Sequence, residues 1–251
     1  MNEVIETILE HRSIRKFEDR PLTKEQVETI VRCAQAASTS SYVQAYTIIG
    51  VTDKELKKKL AELSGDQPYV ADNGHFFVFC ADLHRHAVAG EMEMKTEEMI
   101  ESLESTEKFM VAVIDAALAA QNAALAAESM GLGICYIGGL RNNLQEVVKL
   151  LKTPDRVIPL FGLAVGYPAR ITSKRPRLPL EHIYHENTYP QDKDEYVAQL
   201  KSYNEEVSQY YIERTKGKRS DTWTGQMANT FAKKSRMYMK EFVESKKMNL
   251  R

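Results

Sequence analysis

Apolar positions recur at helical spacing from the start of the chain, where Val4, Ile5, Ile8 and Leu9 predict a short helix over about residues 2–10. The helix should stop at His11-Arg12-Ser13-Ile14-Arg15, so that basic cluster follows a helix end. Thr23-Lys24-Glu25-Gln26 has the S/T-x-x-E/Q form in which side chain and backbone cap each other, and Val27, Ile30, Val31 and Ala34 follow at i, i+3, i+4 and i+7. This predicts a helix over about 24–36. Tyr46–Val51 is a short β-branched run, Asp53 is placed to cap a helix over about 54–63, and Phe76–Ala81 is continuously apolar. Both runs read as buried strands.

From about 107 to 130 runs the longest helical pattern, studded with Ala112, Ala116, Ala117, Ala119, Ala120, Ala123, Ala124, Ala126 and Ala127, whose small side chains permit close backbone approach on several sides. This is the expected central helix. Gly131 is placed to end it in the left-handed conformation, and Ile134–Ile137 reads as a strand closing on Gly138-Gly139. Asn142 is expected to cap a helix over 143–152, Thr153-Pro154 to break it, and Val157–Val165 to form another buried strand. Strands interleaved with helices predict a mixed α/β or α+β layer structure, with helices covering a central sheet. Beyond about residue 180 the chain is rich in Tyr and charge and poor in aliphatic residues, so it should wrap the main body, or a second copy of it. The expected organisation is a core over 1–180 and a helical extension over 181–251, both parts of one domain.

Composition removes several function classes. With 34 Lys+Arg against 35 Asp+Glu, the net charge of −1 gives no global case for binding nucleic acid or a membrane surface. Local charge is less even. Residues 91–107 carry seven Glu and one Lys and are expected to be solvated. Residues 214–251 carry eleven Lys/Arg against three acids, which reads either as a solvated amphipathic helix with a Phe231, Met237, Met239, Phe242 and Val243 stripe, or as a site for phosphates. Cys33, Cys80 and Cys135 are too far apart for a CxxC pair or a zinc site built from neighbours, and they suit a reducing compartment. No window approaches 18 apolar residues and the N-terminus is acidic, so a cytoplasmic protein is expected.

Candidate chemistry lies in short clusters. His11-Arg12-Ser13-Ile14-Arg15 sets a ring nitrogen, two guanidinium forks and a hydroxyl within five residues, which suits phosphate or a delocalised anion; a solvated charge run is the ordinary alternative. Arg175-Pro176-Arg177-Leu178-Pro179 is a second basic cluster on a stiff, extended backbone, or else a plain surface loop. Ser38-Thr39-Ser40-Ser41 supplies hydroxyls between a helix and a strand, as a linker or as partners for a polar ring edge. Gly131–Gly139 is not a dinucleotide fingerprint, because Tyr136 replaces the third glycine and the run follows a helix instead of opening one. What it offers is Gly138-Gly139, where a flat ligand can lie against bare backbone. His84-Arg85-His86 reads as a surface loop, and Asp115 and Gln121-Asn122 as satisfied internal polar groups.

These pieces occur in a recognisable order. The His11–Arg15 cluster, the Ser38–Ser41 run with Gln44, Gln67-Pro68-Tyr69, Ala126–Gly133, Tyr136-Ile137-Gly138-Gly139, Pro159–Leu163, Pro176–Pro179 and His185-Glu186-Asn187 resemble, over essentially the whole chain, the oxygen-insensitive, NADPH-preferring nitroreductases. These are also known as NADPH-dependent flavin oxidoreductases of the flavin-reductase P group, here of a Bacillus-type branch. The resemblance implies an α+β, nitroreductase-like fold with a central mixed sheet covered by helices, in a homodimer with FMN tightly bound, one per subunit, at the subunit interface, and NADPH as electron donor. It implies that His11, Arg12 and Ser13 surround the FMN phosphate and ribityl chain, with Arg15 near N1 and O2 of the ring. Arg175 and Arg177 stand where relatives carry Lys-x-Arg. Ser38, Thr39, Ser40, Gln67, Tyr69, Tyr136, Ile137, Gly138 and Gly139 should line the ring, and Arg214 and Arg219 should hold the nicotinamide dinucleotide phosphate. The implied reaction is ping-pong hydride transfer to nitroaromatics, quinones or free flavin, with no catalytic acid or base and no metal. A supplier of reduced FMN to a partner, or a non-catalytic flavin-binding interaction protein, are the alternatives.

Overall fold

Alternation along one strand explains how the layers are built. In β2 (His75–Asp82), Phe77 and Phe79 pack on one face with Ile30 and Ala34 of α2 (Lys24–Gln35) and the alanines of α6 (Thr106–Ser129). Phe76, Val78 and Cys80 face the other way, onto Leu60 and Ala61 of α3 (Lys54–Leu63) and Val147 of α7 (Leu144–Leu151). Side chains of period two thus feed two helical layers. Phe76, Phe77 and Phe79 are essentially unexposed, and burying each ring contributes about 1.5–3 kcal/mol.

The other strands are β1 (Tyr46–Val51), β3 (Gly133–Ile137) and β4 (Val157–Gly166), and the sheet order is β1-β2-β4-β3. Neighbouring strands pair antiparallel, with a bulge at Phe79/Cys80, and the parallel pairing is an isolated bridge between Ser13 and Ile134. β2 is buried throughout and β4 nearly so, as expected of central strands. β1 is not: as an edge strand it is half-buried over most of its length, which corrects the expectation of a buried strand.

Local signals behave as chemistry requires. Thr23 and Gln26 exchange both hydrogen bonds of a capping box, and Asp53 Oδ1 accepts from Leu56 N at 2.7 Å. α6 gives way to Gly131 at φ +73°, the left-handed residue that glycine best supplies. α6 is long and apolar enough to cross a membrane by length and composition, contrary to expectation, but its alanine face is packed in the core.

Further expectations need correcting. The cap of α7 is Asn143, whose Oδ1 accepts from Glu146 N at 3.3 Å; Asn142 instead accepts from Arg236 at 2.9 Å. The acidic stretch is exposed over most of its length, as expected, yet it is folded. It contains α5 (Thr96–Leu103), with Leu103 buried and Glu104 set 3.6 Å from Arg156 and 3.3 Å from Arg251. The basic C-terminal stretch is broken and carries no continuous apolar stripe: Phe231 and Met237 are exposed, whereas Phe242 and Val243 on α10 (Met239–Ser245) are buried. His84-Arg85-His86 opens α4 (His84–Met92) instead of forming a loop, with Asp82 accepting from His84 N at 3.0 Å.

The structure, a computed structural model, describes residues 2–251 and resolves them into two units. One comprises the described residues up to Thr172, including α1 (Glu3–Leu9), together with Arg236–Arg251. The other is Ser173–Ser235, containing α8 (Lys193–Thr215) and α9 (Trp223–Ala232) around a small core of Tyr203, Val207 and Tyr211, with Leu178 and Trp223 packed against it.

Candidate functional site

At the end of β3 the first unit brings several predicted residues together. Tyr69 donates from its hydroxyl to Gln67 Oε1 at 2.6 Å, and Gln67 Nε2 donates to the Ser64 carbonyl at 2.7 Å. A Cβ built on Gly139 would lie 2.4 Å from that carbonyl and 2.8 Å from Gln67 Nε2. Only a glycine lets the Ser64–Gln67 turn close against β3's end. Arg15, exposed, stands close enough to Tyr69 and Cys135 for its charge to act on both. Burial pushes both the Tyr69 phenol and the Cys135 thiol up, and the guanidinium opposes the rise in each. Ile137 is buried beneath this cluster.

The rest of the first basic cluster faces elsewhere. His11 Nδ1 lies 2.7 Å from Glu128 Oε1 near the end of α6, and Arg12 folds back onto the Glu10 carboxylate and carbonyl. Ser13 and Ile14 are laid along β3: Ser13 bridges Ile134, and Ile14 N donates to the Ile134 carbonyl at 2.8 Å. Tyr136 points to the opposite face of β3 from Cys135 and Ile137, edge-on to Phe161 at 5.6 Å. Its phenol is pushed well up by burial and by the Glu128 charge. A cavity of about 550 Å³ opens beside Arg12, Ile14 and Glu128, but Glu3, Glu6 and Glu10 also line it, which suits a phosphate poorly.

The hydroxyl run is held from behind. Ser40 N and Ala45 N donate to Asp115 Oδ1 and Oδ2, each at 3.0 Å, and His86 Nε2 lies 2.7 Å from the Val43 carbonyl. Ser38 and Ser40 are exposed and Thr39 is half-buried in extended backbone. Among the described residues no group of three or more His, Cys, Asp or Glu could hold a metal.

The second unit collects the remaining arginines around tyrosines. Tyr203 donates to the Pro176 carbonyl at 3.2 Å, which ties the extended segment to α8, and Arg177 donates to the Arg175 carbonyl at 3.3 Å. Arg214 donates to the Tyr210 hydroxyl at 2.6 Å. Burial raises Tyr210, but hydrogen bonds from Ser173 and Arg214 and the Arg175 charge outweigh it and draw the phenol below its ordinary value. Arg219 lies 4.5 Å above the Tyr211 ring and pairs with Asp221 at 2.8 Å. Arg175 and Arg214, from clusters far apart in sequence, therefore share one tyrosine.

Residues 8–167 match the Nitroreductase family, and residues 175–251 match the Nitroreductase family, C-terminal domain. The chain belongs to the nitroreductase family. It is 58% identical over 249 residues to a Bacillus subtilis protein named FMN reductase (NADPH), with 99% of each chain covered. It is similar to the structure of Bacillus megaterium NfrA1, at 68% identity and a TM-score of 0.97, covering 99% of this chain and 100% of that one. It also resembles the NADPH:FMN oxidoreductase of Vibrio harveyi, solved with NAD+, at 38% identity, a TM-score of 0.89 and complete coverage of both chains.

In this nitroreductase-family chain, reading the residues in order missed the supports. Glu128 sits inside a run singled out for its pattern, yet nothing local paired it with His11. Asp115 was legible as an isolated acid among alanines, and its partners are loop amides seventy or more positions away.

Proposed function

We propose that this protein is an FMN-dependent NADPH oxidoreductase that reduces nitroaromatics, quinones or free flavin. The observation that carries this is the Arg15, Tyr69, Gln67 and Gly139 cluster in a chain so similar to a named FMN reductase (NADPH). The donor set fits the group. Gly138 leaves partly exposed backbone for a planar ring, the exposed Ser38 and Ser40 offer hydroxyls, and Arg15 offers an exposed cation beside Tyr69 and Cys135. When bound, FMN supplies hydride and electron exchange between NADPH and the acceptor.

The chain's own contribution is orientation and charge. Arg15 is assigned to the N1 and O2 edge, where a fixed cation favours an electron-rich ring. His11, Arg12, Ser13, Arg175 and Arg177 are assigned to the phosphate and ribityl chain. On the resemblance Thr39, Tyr136 and Ile137 are assigned to the ring pocket, with Tyr136 on the other face of β3 from Ile137. Arg214 and Arg219 are assigned to NADPH, where a guanidinium fork matches a phosphate. The Asp221 partner of Arg219 is exposed enough to be displaced by the incoming anion.

The active form is read as a homodimer. Val4, Ile5, Ile8 and Leu9 on α1 and Met110, Ile114 and Leu118 on one stripe of α6 are all roughly half exposed, an apolar surface of the kind that marks an interface. Unpaired Cys33, Cys80 and Cys135 suit the reducing cytoplasm.

The test is direct. Purified protein should be yellow, or turn yellow on reconstitution with FMN, and bleach faster with NADPH than with NADH in stopped flow. Protein that stays colourless with FMN ends the reading. An acceptor panel at fixed NADPH ranks nitro compounds, quinones and free flavin.

A further inference from the structure

The segment between α2 and β1 combines three features that belong together. Its side chains Ser38, Ser40, Ser41 and Tyr42 are exposed, Tyr42 at 84%. Its backbone is strained: Ser41, Tyr42 and Gln44 have φ of +47°, +60° and +53°, the left-handed region that residues with side chains rarely adopt. Its two ends are tied to a single carboxylate, Asp115, which is 1% exposed and lies on α6 between Ala112 and Ala116.

Such a carboxylate is costly in an apolar layer unless its lone pairs are met. Here each oxygen takes one main-chain amide, Ser40 N on Oδ1 and Ala45 N on Oδ2, and these amides bracket the three left-handed residues. The pull is inward on the backbone while the side chains look outward. Strained backbone persists where its surroundings over-determine it, and such places concentrate at ligand sites.

We propose that Asp115 is a positioning residue for the flavin: it clamps both ends of the strained loop and so fixes the Ser38–Ser40 groups at the ring edge without touching the ligand itself. This rests on the reading that the loop borders FMN. Without the clamp the loop relaxes toward ordinary backbone, and the hydroxyls lose their fixed placement. FMN binding then bears the cost of ordering the loop again.

Asp115→Asn tests this in the full-length protein, since a carboxamide keeps one acceptor and turns a donor toward the second amide. Hydrogen exchange of the Ser40 and Ala45 amides should quicken, and the dissociation constant for FMN, read from quenching of flavin fluorescence, should rise about tenfold. The visible band of bound flavin should shift, because it reports hydrogen bonds at the ring edge, while the KM for NADPH stays at the wild-type value. Faster amide exchange with unchanged FMN affinity and an unchanged flavin band would overturn the proposal and leave Asp115 a structural residue. If Asp115→Asn does not fold, Ser40→Pro set against Ser40→Ala removes the same bond from the loop side. Both variants lose the hydroxyl, so weaker FMN binding in the proline variant than in the alanine variant supports the clamp, and equal binding in both overturns it. Wild-type protein that takes up no FMN removes the flavin reading itself, and that failure is visible before any variant is made.

Discussion

Around Arg15 the supporting groups are themselves held: Tyr69 bonds Gln67, Gln67 bonds the Ser64 carbonyl, and Gly139 closes against both. Around Arg214 and Arg219 the partners are near in sequence and at the surface, the Tyr210 hydroxyl four residues back in one case and Asp221 two residues on in the other. A group kept through many turnovers needs a site organised before it arrives. A dinucleotide that enters and leaves on each turnover is better served by charges whose partners exchange easily. The Arg15 cluster and the Arg214–Arg219 cluster divide along that line, one fixed and one replaceable.

Acid should separate them most. His75 in β2 is buried, its Nε2 has no partner, and burial together with the Lys57 charge lowers its pKa to about 4. Unfolding exposes it to its ordinary value near 6.5, so the unfolded chain binds the extra proton between those values. The stability that comes from keeping His75 neutral is complete above about pH 6.5 and is lost as pH falls toward 4, by at most about 3 kcal/mol. Urea unfolding of the first unit should weaken over that window, and His75→Phe should flatten the dependence. An unchanged pH profile in the variant would place the acid sensitivity elsewhere.

Next in size, Gly139→Ala pushes a methyl into the Ser64 carbonyl and should cost about 1–3 kcal/mol while lowering FMN content. If that variant keeps wild-type stability and flavin, the turn is softer than its geometry implies. Arg214→Ala and Arg219→Ala should each raise the KM for NADPH about tenfold with FMN content intact. Loss of flavin in either would blur the division between the two clusters. The smallest effect is expected at Arg251, which pairs with Glu101 and Glu104: Arg251→Ala should lower stability by about 0.5 kcal/mol at low salt and by less at 1 M.

Much of the first unit was legible because its signals are local. Thr23 with Gln26, Asp53, and Gly131 each act within a few residues, and the apolar runs mark the strands. What escaped depends on partners distant in the chain. The edge position of β1 follows from sheet order, and the folded state of the acidic stretch follows from Arg156 and Arg251 meeting Glu104. The placement of Tyr136 needed only the strand's alternation, which sets it on the other side from Cys135. The Arg175–Tyr210–Arg214 grouping required knowing that an extended proline segment lies along α8.

The last stretch of chain returns to the first unit. Phe242, Val243 and Met248 are buried there, Lys246 and Lys247 meet Asp155, and Thr106 N donates to the Arg251 carbonyl at 2.7 Å. Ser173–Ser235 is therefore an excursion leashed at both feet, not a free tail. A protease that nicks it once should yield two fragments that still migrate as one particle until denaturant frees the terminal peptide from its berth.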